Sequence, residues 1–197
     1  MLDSLYDSDV FSVGVLLLSE FGVLVDSKRI YDGKVIGLRV DRIRLPSGDV
    51  FEREVVEHRG AVAMLPLLDD GRLLLIRQYR HPVGKVLLEI PAGTLSDGET
   101  PEECARRELI EETGYDAETI KELFSCFLAP GYSSEKIHLF LASKLKKVGN
   151  SPEVDEFIQL EPTALEDAEA MIKRGEIMDA KTISGISYFL LTGNSGR

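Results

Sequence analysis

The sequence predicts an α/β protein in which a mixed sheet is sandwiched between helices, with a small antiparallel β-sheet ahead of it. Three observations carry this. Apolar strand-like runs stand on both sides of one long acidic helix that follows Thr100. Two helical patterns close the chain, so helices are available for a sheet on either side. Ahead of these, residues 35–58 alternate apolar and polar side chains around a turn, the pattern of a half-buried antiparallel hairpin. The chain has 197 residues, 44% of them hydrophobic, which is enough for one large domain with a small extension. A net charge of −11 speaks against a nucleic-acid backbone or an anionic membrane as the main partner. Cys104 and Cys126 give neither a disulfide framework nor zinc spacing, and read as buried small residues in a reducing, cytoplasmic setting.

Taken in order, residues 1–26 form an extension of unclear role. Val10 to Val25 is apolar but interrupted by Ser12, Ser19 and Glu20, too short and broken for a membrane span. Asp3, Asp7 and Asp9 replace the basic start that a signal peptide wants. One or two strands, a docking segment or an overextended start fit equally. Residues 27–59 read as a small β-sheet domain, its hairpin turning at Pro46-Ser47-Gly48-Asp49. Residues 60–197 read as the main domain. Its strands are Ala61–Leu68 and Arg72–Tyr79 around the Asp69-Asp70-Gly71 turn, then Leu87–Ile90, Leu123–Ala129, Ile137–Ala142 and Glu156–Leu160. Lys144 to Asp155 reads as a polar connection. Thr163 to Arg174 is an amphipathic helix stopped by Gly175, and a last helix runs from an Asp179 cap to Leu191.

The central helix carries the chemistry. Thr100 is a fitting N-cap, Pro101 suits the first helical position, and Glu103 sits three residues after the cap, which together make a capping box. Gly114 can end the helix in a left-handed conformation. Glu108, Glu111 and Glu112 are spaced i, i+3 and i+4, so three carboxylates share one face. Like charges this close repel, and Arg107, placed to pair with Glu111, cannot neutralise all three. A hard divalent cation could, since it takes oxygen ligands from carboxylates and phosphates. The glycine-bearing turn before the helix leads into an N-terminus that favours anions. A plain solvated face is the alternative for three helical glutamates on their own.

Gly93, five residues, Glu99, seven residues, then Arg107-Glu108-Leu109-Ile110-Glu111-Glu112-Thr113-Gly114-Tyr115 resembles the Nudix box, with no departure at its defining positions. The resemblance extends over roughly Lys28 to Leu191 and implies the Nudix α/β/α sandwich. It also implies hydrolysis of a diphosphate linked to another moiety with Mg²⁺ or Mn²⁺. The run RQYRHPVGKVLLEIPAG, residues 77–93, and the N-terminal sheet resemble the ADP-ribose pyrophosphatases of this family. There the arginine at the Arg80 position contacts phosphate and the alanine at the Ala92 position offers its carbonyl to metal. A surface ion pair is the other reading of Arg80, and Glu89 reads either as a buried hydrogen-bonded acid or as a site residue. Pro130, sixteen residues beyond Gly114, stands where a proline is associated with ADP-ribose preference.

The implied site is then a metal set of Glu108 and Glu112, assisted by Glu111 and the Ala92 carbonyl and completed by Glu99. Arg107 orients Glu111. Glu156 matches the loop acid that activates water, with Glu153, Asp155 and Glu135 competing. The N-terminal sheet serves dimerisation and the adenine end of the substrate, where Phe51, Tyr31 and Arg59 are candidates for stacking or hydrogen bonding. Glu135, beside Pro130, is a further substrate-side candidate. The implied reaction converts ADP-ribose to AMP and ribose 5-phosphate in a homodimer. Three rivals remain. One is a broad nucleoside diphosphate sugar pyrophosphatase and another a nucleotide triphosphatase. The last is a non-catalytic ADP-ribose sensor, against which stands the full set of box carboxylates.

Overall fold

The computed structural model describes residues 21–149 and 158–192. Most of the 1–26 extension and the loop acids Glu153, Asp155 and Glu156 lie outside the described residues. The chain divides into two compact units, one holding residues up to His58 together with Ala129–Ser134, the other Arg59–Leu128 and Glu135 onward.

The first unit is a three-stranded antiparallel sheet in the order β1 (Val23–Asp32), β2 (Ile36–Arg44), β3 (Val50–His58). The alternating hairpin of the sequence is β2–β3, in unbroken register from Ile36 opposite His58 to Arg44 opposite Val50. β1 begins at Val23, five residues before the extended pattern expected from Lys28, because its apolar residues Val23, Leu24 and Val25 do not alternate. The Pro130 loop belongs to this unit. Val56 bonds to it on both sides, donating to the Tyr132 carbonyl at 2.8 Å and accepting from the Ser134 amide at 2.9 Å.

The second unit is a seven-stranded mixed sheet. β10 (Ile158–Thr163), β5 (Leu73–Arg80), β4 (Ala61–Leu67), β9 (Lys136–Lys147) and β8 (Tyr115–Phe127) are neighbours in that order. β6 (Lys85–Glu89) pairs with β5, and β7 (Ala92–Thr94) with β4. The β4–β9 pairing is parallel and the others antiparallel. β4 is apolar on both faces because both are covered. Ala61, Ala63 and Leu65 join one core with Ala168, Ile186 and Phe189 from the C-terminal helices and Ile177 from the connection between them, while Val62 and Met64 join another with Cys104, Ala105 and Leu109. Those three belong to α1 (Pro101–Thr113); the opposite core takes α2 (Leu165–Lys173) and α3 (Ala180–Leu191). The expected α/β/α sandwich is the observed one.

Several boundaries differ from the sequence reading, each for a physical reason. β8 starts at Tyr115 and not near Leu123, because it is an edge strand that exposes charged residues. β9 continues to Lys147 through part of the expected polar connection, its lysines meeting β8 acids, as in the Lys144–Glu118 pair at 2.7 Å. β7 is too short for any periodicity to reveal. Thr163 closes β10 opposite Leu73 and does not open α2, so that helix begins at Leu165. Cys104 is fully buried as expected, but Cys126 is only half-buried because it lies on the β8 edge strand.

Candidate active site

α1 begins as its sequence requires. Thr100 Oγ1 accepts from the Glu103 amide, the Glu103 carboxylate accepts from the Thr100 amide at 2.9 Å, and Pro101 opens the first turn. It ends at Gly114, whose φ of 74° is left-handed. Between them the acids separate into two groups.

Arg107 gathers three of them. Its Nε donates to Glu99 Oε1 at 2.8 Å, its Nη1 to Glu108 Oε1 at 2.8 Å and Glu111 Oε2 at 2.9 Å, and its Nη2 to Glu99 Oε2 at 3.0 Å. The expected Arg107–Glu111 pair is present, within a larger cluster than the spacing alone suggests. Glu99 also accepts from the Ser96 amide at 3.0 Å. The Arg107 hydrogen bond, against the cost of burial and with the help of Ser96, pulls the Glu99 carboxyl down to about 2. The bond to Glu99, again against burial, and the pull of Glu108 and Glu111 hold Arg107 cationic above its ordinary range. Cys104 lies beneath with its thiol pushed up to about 12, chiefly by burial, so it is no nucleophile.

Glu112 turns the other way. It is 2% exposed, and its Oε2 accepts from the Ala92 amide at 2.9 Å, tying α1 to β7. Glu108 packs so closely on Gly93 that a Cβ there would collide with its carboxyl carbon and oxygen. Only glycine at position 93 lets the strand and the acid share this space. The donor set is uniform: carboxylate oxygens of Glu99, Glu108, Glu111 and Glu112, with Glu108 and Glu112 against the Ala92–Gly93 segment, the oxygen chemistry that a hard divalent cation takes. Among the described residues, no three of His, Cys, Asp and Glu stand together as a closed ligand group. The acids are instead held by Arg107 and by the Ala92 amide.

Arg80, at the end of β5, makes a two-pronged pair with Glu89: Nε to Oε1 at 2.9 Å and Nη2 to Oε2 at 2.8 Å. Glu89 is thus the buried hydrogen-bonded acid of the two readings, 1% exposed. It also meets Lys181 of α3. Burial pushes the Glu89 carboxyl up, and the bonds from Arg80 and Lys181 outweigh this and leave it lowered.

The substrate-side candidates are spread out. Arg59 pairs with Asp97 at 3.2 Å, both exposed. Tyr31 and Phe51, both exposed, lie on the first unit at different levels. Tyr31 is opposite Leu38 and Phe51 opposite Ile43, five residues apart along β2, so about 17 Å separates their levels. Pro130 is exposed on its loop, and Glu135 is half-buried where β9 approaches. The sequence reading missed Lys181, Thr182 and Asp179 as neighbours of this region. Their only signal was a buried-looking lysine next to a helix cap.

A family model described as NUDIX domain matches residues 57–184. The chain belongs to the NUDIX domain family. An ADP-ribose pyrophosphatase of Bacillus subtilis (strain 168) is 40% identical over 169 residues, 85% of this chain and 91% of the relative. A methanol dehydrogenase activator of Bacillus methanolicus is 40% identical with the same coverage. A solved structure of an ADP compounds hydrolase superposes with a TM-score of 0.79 at 22% identity, over 89% of this chain and 96% of that one, and so shares the fold. The NUDIX match spans the whole α1 cluster, Arg80, Glu89 and Lys181.

Proposed function

We propose that the chain is a Nudix pyrophosphohydrolase that converts ADP-ribose and water to AMP and ribose 5-phosphate, with Mg²⁺ as its metal and Mn²⁺ a possible substitute. The observation that carries this is the gathering of Glu99, Glu108 and Glu111 on Arg107, with Glu112 of the same helix bonded to the Ala92 amide. The similarity to the Bacillus subtilis pyrophosphatase supports the substrate. A bound divalent cation would supply neutralisation of the diphosphate charge and would be held by Glu108 and Glu112, with Glu111, Glu99 and the Ala92 carbonyl assisting.

The chain's own groups do the rest. Arg80 binds a phosphate; its pair with Glu89 engages only two of its five donors. Arg107 keeps Glu99, Glu108 and Glu111 at fixed positions without touching substrate. Glu156 takes the proton of the attacking water, with Glu153, Asp155 and Glu135 the other candidates. The water oxygen bonds to one phosphorus, the bridging P–O bond breaks, and the bridging oxygen leaves with the other phosphate. Tyr31, Phe51, Arg59 and the Pro130 loop are the candidates for the ribose and adenine, and since about 17 Å along the sheet separates Tyr31 from Phe51, only one of those two rings stacks on a given adenine. The enzyme works as a homodimer in the cytoplasm.

Phosphorus NMR of ADP-ribose incubated with the chain and Mg²⁺ tests this: two phosphate monoesters replace the diphosphate signals. Pyrophosphate release from triphosphates would instead make it a triphosphatase, and equal rates on other nucleoside diphosphate sugars a broad-range enzyme. The Bacillus methanolicus relative favours a second reading, in which the chain regulates a partner dehydrogenase. Calorimetric binding of ADP-ribose without turnover, together with a changed dehydrogenase rate, would support that instead.

A further inference from the structure

We propose that Lys181 is a positioning residue for this reaction, acting through Glu89 to fix the orientation of Arg80. The inference rests on the reading of Arg80 as the phosphate-binding arginine. Glu89 is buried, and two cations converge on its carboxylate: Arg80 through two hydrogen bonds and Lys181, whose side chain is itself only 10% exposed. A buried carboxylate with a single cationic partner consumes that partner's charge. Here Lys181 shares Glu89 and Asp179 in turn shares Lys181, so Arg80, Glu89, Lys181 and Asp179 sum to zero charge, and what Lys181 adds is a second anchor that fixes where Glu89 holds Arg80.

Lys181 is placed by its own helix. Asp179 Oδ1 meets Lys181 Nζ at 3.0 Å, and Asp179 caps α3 by accepting from the Thr182 amide at 2.9 Å. Thr182 then reaches the chain just after β6. Its Oγ1 accepts from the Ile90 amide at 2.9 Å and donates to Asp179 Oδ2 at 2.5 Å. Two residues on, the Ala92 amide donates to Glu112. The start of α3 therefore holds both Arg80 and the backbone leading to the acid cluster. Lys181 is the member of this helix start that reaches Glu89.

The test is a set of steady-state measurements on ADP-ribose with Mg²⁺, each variant first checked for its fold by circular dichroism. Lys181→Gln is expected to raise KM about tenfold with kcat within about twofold, a loss of binding and not of chemistry. Lys181→Arg, which keeps the charge, should restore KM to within about twofold. In an Arg80→Gln background, Lys181→Gln should add nothing further to KM. An unchanged KM in a folded Lys181→Gln variant overturns the proposal. So does an equal rise in both backgrounds, which would mark a merely structural lysine. If Arg80→Gln itself leaves KM unchanged, the reading of Arg80 fails first, and the role of Lys181 falls with it. Should the double variant not fold, the contrast between Lys181→Gln and Lys181→Arg decides alone.

Discussion

Glu108 and Glu112 are one turn apart on α1, yet their surroundings differ. Glu108 shares Arg107 with two other acids, whereas Glu112 is buried against the Ala92 amide. Glutamine at 112 keeps an oxygen for that amide and loses the charge. Glu112→Gln is therefore expected to fold as the parent does and bind ADP-ribose, while turning it over about 100-fold more slowly or worse. Normal turnover would show that the carboxylate is not a metal ligand. Glu99 gives a pH prediction. Its folded-state pKa of about 2 lies below the unfolded value of about 4.3. Its contribution to stability is thus complete above pH 4.3 and is lost as pH falls through 2. Urea unfolding of the parent and of Glu99→Gln should differ at pH 5, and the gap should close towards pH 2. A gap independent of pH would mean that the Arg107 pair contributes no such linkage.

At the scale of elements, α1 is set by local chemistry that reads directly from the chain. The Thr100–Glu103 box, Pro101 and the left-handed Gly114 all stand where the sequence put them. Thr100→Ala should cost about 1 kcal/mol. In a protein of this size that lowers Tm by about 3 °C, measurable by calorimetry. An unchanged Tm would mean that packing of Leu109 and Ala105, both fully buried, makes the cap redundant. α3 was legible in the same way through its Asp179 cap. The strands were less so. β8 and β9 run far beyond their apolar cores because cross-strand pairs such as Lys144–Glu118 let charged residues stay in the ladder. Periodicity in one strand cannot show a partner supplied by another.

For the whole molecule, the first unit matters most. Every residue of β1 is exposed, among them Val23, Leu24, Val25, Ile30 and Tyr31. So much exposed apolar surface on one strand is what the proposed homodimer would cover. The proposed homodimer should sediment at twice the 21.9 kDa chain mass, and Leu24→Glu with Val25→Glu should shift it to the monomer. A parent that sediments as a monomer would remove the dimer. No described helix is long and apolar enough to cross a membrane.

The sequence by itself determined the family, the sandwich, the helix with its caps and the clustering of acids, because each depends on spacing within a few residues. Three-dimensional packing decided what touches those acids. It brought Glu99 to Arg107 across eight positions, Ala92 to Glu112 across twenty, and Lys181 to Glu89 across ninety-two. Such pairs follow from how strands and helices stack, and stacking leaves no period in the chain. It also separated Tyr31 from Phe51 along their sheet, since strand register, and not composition, fixes how far apart two aromatic residues stand.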